Sequence, residues 1–248
     1  MVKSNNPKRR GRKNPKPSKS FVKKVMSVIH KTSESKQAFT SQQNVYYNSG
    51  INANADTTSI LPNIGQGTGD HQRIGDQLRG QRLQLKGALQ IYSPTTTNSN
   101  SRVAVRMMVV MPKQYTVFDN SVTGNWMPYL LKKGGVTTAF TGILSDLWAP
   151  INTDVVTKYY DKVFYLSSAY TAAIGTSTQG NSVKFFSHKF NLKNKLLKYD
   201  AGIAGGLLPT QYAPQIILGY VHMDGTSPDT LTTAVSMSFD SIFTYEDA

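Results

Sequence analysis

"QRLQLKGALQIY", residues 81–92, decides the fold class. Leu83, Leu85, Leu89 and Ile91 alternate with Arg82, Gln84, Lys86 and Gln90. Successive side chains of an extended chain point to opposite faces, so this period of two marks a strand with one apolar face and one polar face.

The same texture continues on both sides. After a polar connection, "SPTTTNSN", the run "SRVAVRMMVVM" (101–111) starts with Arg102 and Arg106 on a polar face and becomes apolar on both. Strands are expected at Gln37–Tyr47, Lys158–Ser167, Val183–Leu192, Gln215–Met223 and Ala234–Tyr245, with an eighth at Gln114–Phe118. In the last long run, Val235, Met237, Phe239, Phe243 and Tyr245 share one face, and Ser236, Ser238, Asp240 and Thr244 share the other. The body's one helical signal is "NWMPYLLKKGG" (125–135), where Pro128 comes early, Lys132 and Lys133 late, and Gly134 closes it. Long connections are expected at 48–80, 119–157, 168–182 and 193–214. There is no alternation of strand and helix and no repeat of 20–50 residues, so doubly wound and solenoid folds are set aside. The expectation is an all-β antiparallel sandwich of about eight strands, and periodicity alone leaves jelly-roll and immunoglobulin-like wiring both open.

Charge divides the chain. Residues 1–36 hold twelve basic residues against one acid, Glu34, whereas the other 212 residues hold sixteen basic and thirteen acidic ones. A nearly neutral body of net +3 thus follows a polycation of net +11. Residues 1–18 also carry Pro7, Pro15, Pro17 and Gly11, a composition that cannot pack, so residues 1–35 read as a largely disordered basic arm and 36–248 as the β domain. Within the arm, Phe21, Val22, Val25, Met26, Val28 and Ile29 fall on one helical arc, which predicts a short amphipathic helix over 20–31. At about three turns it would be marginal without a partner.

The arm is the chain's strongest chemical signal. Lys3, Lys8, Arg9, Arg10, Arg12, Lys13, Lys16, Lys19, Lys23 and Lys24 crowd into the first 24 residues without an acid. Such a segment binds phosphate by Coulomb attraction and counterion release and needs no base code. Lys8, Arg9, Arg10, Arg12 and Lys13, followed at a distance by Lys23 and Lys24, also match a bipartite nuclear address. In the body, Arg73, Arg79, Arg82 and Lys86, with the lysines of "KFFSHKFNLKNKLLKY" (184–199), are candidates for extending a phosphate-binding surface. A merely solvated sheet face is the stronger reading there.

Catalytic and metal chemistry find little footing. The chain has no cysteine, which excludes disulfides, thiolate nucleophiles and Cys-based zinc sites. His30, His71, His188 and His222 are far apart, and His188 shares a face with Phe186 and Phe190, as a core or interface histidine would. "GQGTGD" (65–70) lacks the strand-then-helix frame of a phosphate cradle and reads as a surface loop. Asp154 with Asp161, or Asp224 with Asp229, offers calcium only weak support. No catalytic residue, metal or cofactor is assigned. The chain reads as non-enzymatic, with no membrane-spanning segment and no signal peptide.

The opening of the body, "RIGDQLRGQRLQLKGALQIY" (73–92), with "YYDKVFYL" (159–166) and the late "IILGYVHMDG" and "FDSIFTYED", resembles the capsid proteins of circular single-stranded-DNA viruses that encode a replication initiator. The resemblance, spread in short motifs over nearly the whole chain, implies a single jelly roll that assembles, in about sixty copies, into a small icosahedral shell. The arms would then package a single-stranded DNA genome. It further implies residence in the virion and, during infection, in the host nucleus, with host nuclear import factors as further partners. Alternatives are a nuclear shuttle or other nucleic-acid-binding protein with a β-sandwich body, and the capsid protein of a small single-stranded-RNA virus, which carries a similar arm. A carbohydrate-processing or lectin-like jelly roll with an incidental basic tail ranks below these.

Overall fold

The alternation around Leu83 is realised as a long strand with its apolar side chains turned inward. In the computed structural model the described residues are 18, 20–21, 24–25, 35–47, 49–51, 57–91, 102–114, 125–170, 179–181, 183–200, 206–223 and 235–247. The chain divides into two units, Met1–Glu34 and Ser35–Ala248. In the first, Ser20, Phe21, Lys24 and Val25 are helical and exposed, and the Ser18 hydroxyl accepts the Phe21 N–H at 3.2 Å as a helix cap does. The rest of the helix expected over 20–31 lies outside the described residues.

The second unit is all β. Its strands are β1 (Ser35–Tyr47), β2 (Thr57–Ser59), β3 (Gln77–Ile91), β4 (Arg102–Pro112), β5 (Leu131–Lys133), β6 (Val136–Thr138), β7 (Val156–Tyr170), β8 (Gln179–Asn181), β9 (Val183–Lys198), β10 (Gln215–His222) and β11 (Val235–Asp247). One sheet has the order β1-β11-β3-β9 and a second the order β2-β10-β4-β7-β8, with β5 and β6 forming a small hairpin. All strand pairings are antiparallel.

The two large sheets close on one core. Leu83, Leu85 and Leu89 of β3 and Met237, Phe239 and Phe243 of β11 meet Val103, Val105 and Met107 of β4 and Ile216, Leu218 and Tyr220 of β10. Aromatic pairs bridge the layers: Tyr159 meets Phe190 edge-on at 6.3 Å, and Phe164 lies 6.4 Å from Phe186. Each large apolar side chain fully removed from water stabilises the fold by about 1.5–3 kcal/mol, so this layer accounts for the sandwich.

β4 is apolar on both faces because both faces are covered. Ala104, Met108 and Val110 point away from the main core into a second cluster with Trp126, Leu130, Phe140, Leu147 and Ile151. Those residues come from the 125–155 connection, which lies across the five-stranded sheet. The four-stranded sheet has no such cover on its outer face among the described residues, where Phe39, Arg82, Lys86, Phe185 and Lys189 stand exposed.

Arg106 is the charged exception on the covered face of β4, and it corrects the reading that placed it on a polar face. It is buried, pairs with Asp161 of β7, and donates to the carbonyls of Asp146 at 2.5 Å and Ala149 at 2.8 Å. Asp146 is itself fully buried. Its Oδ2 accepts the N–H groups of Thr141 (2.7 Å), Gly142 (3.0 Å) and Ile143 (3.2 Å), and its other oxygen pairs with Lys133. Arg106 fixes the cover to the sheet, and the Asp146 carboxylate braces the cover's own turns.

The helix expected in 125–135 is replaced by 3-10 structure, chiefly the turn Met127–Tyr129, and then by the β5–β6 hairpin. The reason is local. Gly134 and Gly135 have φ of 56° and 88°, the pair of positive values that a two-residue hairpin turn requires. The expected 193–214 connection is also shortened, since β9 continues to Lys198. Of the eighth strand expected at 114–118, Gln114 lies in a bend and 115–118 fall outside the described residues.

Candidate nucleic-acid interface

Of the ten arm cations, Lys24 alone lies among the described residues, exposed on the helical turn. Lys3, Lys8, Arg9, Arg10, Arg12, Lys13, Lys16, Lys19 and Lys23 lie outside them, as does most of the nuclear-address candidate.

The body cations separate into two groups. Arg73 leaves the candidate surface. It is 2% exposed, donates from Nη2 to the Gly206 carbonyl at 3.0 Å and from Nη1 to the Gly75 carbonyl and to Asp76, and lies 4.6 Å from the Tyr199 ring centre. A guanidinium so enclosed ties its own loop to the segments at Gly206 and Tyr199 and is not presented to a phosphate outside the fold. Lys195 is likewise engaged: its ammonium sits 4.2 Å over the Tyr212 ring, and burial lowers its pKa.

Arg82, Lys86 and Lys189 remain exposed, and register brings them together. Residues directly opposite each other in antiparallel strands project to the same side. Gln84 faces Lys189, Lys86 faces Ser187, and Ala88 faces Phe185 across β3 and β9. On the other flank of β3, Thr244 faces Arg82, Ile242 faces Gln84, and Asp240 faces Lys86. β1 then adds Phe39 opposite Ile242. The outer face of the four-stranded sheet thus gathers three cations with two exposed phenyl rings. A shallow depression of ≈ 390 Å³ opens there, lined by Lys86, Ala88, Phe185, Ser187, Ser238 and Asp240 among others.

Phe185 is the residue that sequence reasoning passed over. Phe186 and Phe190 were assigned to the inner face with His188, which by alternation alone sends Phe185 outward. It is 82% exposed, more than any other large apolar side chain among the described residues.

The remaining candidates have structural partners. His188 packs between Tyr160 (4.7 Å) and Phe190 (4.5 Å), where burial pulls its imidazole below the ordinary value. The 65–70 segment is a loop in which the Gly67 N–H reaches the Arg73 carbonyl at 2.9 Å. Of the aspartates weighed for calcium, Asp154 pairs with Lys132 at 2.5 Å and Asp161 with Arg106 at 2.8 Å. Asp224 and Asp229 lie outside the described residues. Among the described residues, no group of three His, Asp or Glu side chains is placed to hold a metal ion.

No family model matches the chain, and no curated protein matches it.

Proposed function

We propose that this chain is a non-enzymatic viral capsid protein that self-assembles into a small closed shell and packages single-stranded DNA through its basic arm. What supports the reading is the union, in one chain, of a polycationic first unit with a particular strand order in the second. Number the eight principal strands β1, β2, β3, β4, β7, β9, β10 and β11 from one to eight. The sheets then run 1-8-3-6 and, with β8 added at its edge, 2-7-4-5, an order that fits the doubled Greek key expected of a jelly roll, an architecture used by shell-forming proteins.

Charge supports the packaging role. Sixty arms of about +11 each supply on the order of 660 positive charges, enough to neutralise a substantial part of a genome of a few thousand phosphates. The 125–155 cover and the other long connections supply surfaces for contacts around symmetry axes. The same run of charge would serve as the address read by nuclear import factors before assembly.

The test is negative-stain microscopy, with mass measurement, of the full chain mixed with single-stranded DNA over a range of pH and salt. Closed particles of megadalton mass are expected. A species below about 100 kDa under every condition overturns the shell and leaves a nuclear shuttle or other nucleic-acid-binding protein.

A further inference from the structure

We propose that the outer face of the four-stranded sheet is itself a binding surface for single-stranded nucleic acid, on which Phe185 stacks a base while Arg82, Lys86 and Lys189 hold the neighbouring phosphates. The proposal deepens the packaging reading but needs no shell, since it concerns a property of the single subunit.

Geometry carries it. Alternate residues on a strand recur every ~6.6 Å and neighbouring strands lie ~4.8 Å apart. Lys189, opposite Gln84, therefore stands about 8 Å from both Arg82 and Lys86, at backbone level. The three cations form a triangle, and Phe185 lies at its edge, opposite Ala88. An exposed phenyl ring bordered by cations is the arrangement that single-strand binders use: every base has a face to stack, and the backbone tracks positive charge without sequence readout.

The acids nearby do not cancel this charge. Asp240 is in register with Lys86 and answers one cation of three. Glu246 accepts from the Gln81 amide, and Asp247 pairs with Lys36 at 2.8 Å, so both are occupied at the far end of the sheet. A protein partner would gain from Phe39 and Phe185 but would have to cover unanswered cations, whereas a polyanion uses both features. Paired bases in a duplex would leave Phe185 nothing to stack on, so the fit is to single strands.

Two measurements on the full chain test the proposal, with a fluorescein-labelled 20-mer of deoxythymidylate as the probe. In the first, ultraviolet cross-linking and peptide mass spectrometry should place an adduct on the 185–189 segment, and Phe185→Ala should abolish it. In the second, anisotropy titrations at 50–400 mM KCl should show that Arg82→Gln/Lys86→Gln/Lys189→Gln shallows the log–log salt dependence by about 2, at ~0.7 per phosphate contact. Phe185→Ala should weaken binding by about tenfold with little change in that slope. All four side chains are exposed, so unchanged thermal unfolding of the variants is the control. Adducts confined to residues 1–34, or an unchanged slope in the triple variant, overturn the proposal. So do variants that change self-association and leave nucleic-acid binding intact, which would assign the face to contacts between copies. Particles without the adduct reject this proposal alone, and the adduct without particles rejects the shell alone.

Discussion

Arg106 and Asp161 meet in a two-pronged ion pair, Nε to Oδ1 at 2.9 Å and Nη2 to Oδ2 at 2.8 Å, beneath the 125–155 cover. Arg106 is nearly inaccessible and Asp161 about one-fifth exposed. Removing one partner strands a desolvated charge, while removing both does not. Asp161→Ala is therefore expected to cost about 3 kcal/mol in urea unfolding. The double variant Arg106→Met/Asp161→Leu should recover most of that loss. An Asp161→Ala protein as stable as the parent would show that the pair does not hold the cover.

Gly219 of β10 gives the Phe140 ring its seat. A Cβ added there would lie 2.5 Å from Phe140 Cε1 and 2.6 Å from Cδ1. The ring is buried and cannot swing clear, so Gly219→Ala should lower stability by about 1–3 kcal/mol through overpacking. The loss should fall mainly on the cover, read as faster amide exchange at Ile51, whose N–H bonds to the Phe140 carbonyl at 3.0 Å.

His188 sets a pH dependence whose sign follows from its environment. Burial beside Tyr160 and Phe190 disfavours the imidazolium in the folded state. As pH falls through the ordinary histidine value of about 6.5, the unfolded chain takes up the proton first. Stability is therefore complete above that value and declines below it, levelling off under the lowered folded pKa. His188→Gln should flatten the change in urea midpoint between pH 7.5 and pH 5.5. An identical decline in parent and variant would assign the effect to other groups.

Removing Met1–Glu34 should separate charge from fold. With ten cations lost from the first 24 residues, the salt dependence of binding to single-stranded DNA should become shallower by up to about 7. A weak remainder of about 2 should persist from the face that holds Lys86. The unfolding midpoint should stay within error of the parent, because the buried core lies within Ser35–Ala248. Full salt-sensitive binding by the truncated chain would remove the arm from the proposed packaging role.

The long strands were legible because each satisfies a local rule: one side chain in two enters the core, so Leu83, Leu85 and Leu89 announce β3 without any knowledge of their partners. β9 was read short because Lys193 and Asn194 take φ of 51° and 59°, shifting the alternation out of phase before Leu197 returns to the core. The 125–135 segment misled because Pro128 and Gly134 punctuate helices and hairpins alike. Site residues depended on what no local rule supplies. Arg73 and Arg82 look equivalent in sequence, yet one is enclosed by the Gly75 and Gly206 carbonyls, Asp76 and the Tyr199 ring, and the other lies exposed on a sheet face.

The sheet order β1-β11-β3-β9 carries a consequence for biogenesis. β11 fills the slot between β1 and β3, although nearly two hundred residues separate it from β1. Until it arrives, the earlier strands present two unpaired edges a single strand-width apart, which is the template on which extended chains of other copies add. Pairing over so long a sequence separation is slow. The nascent body is thus at greatest risk of pairing with a second copy just before β11 docks, and a chain ending before Val235 should accumulate as aggregate rather than as a loosened monomer.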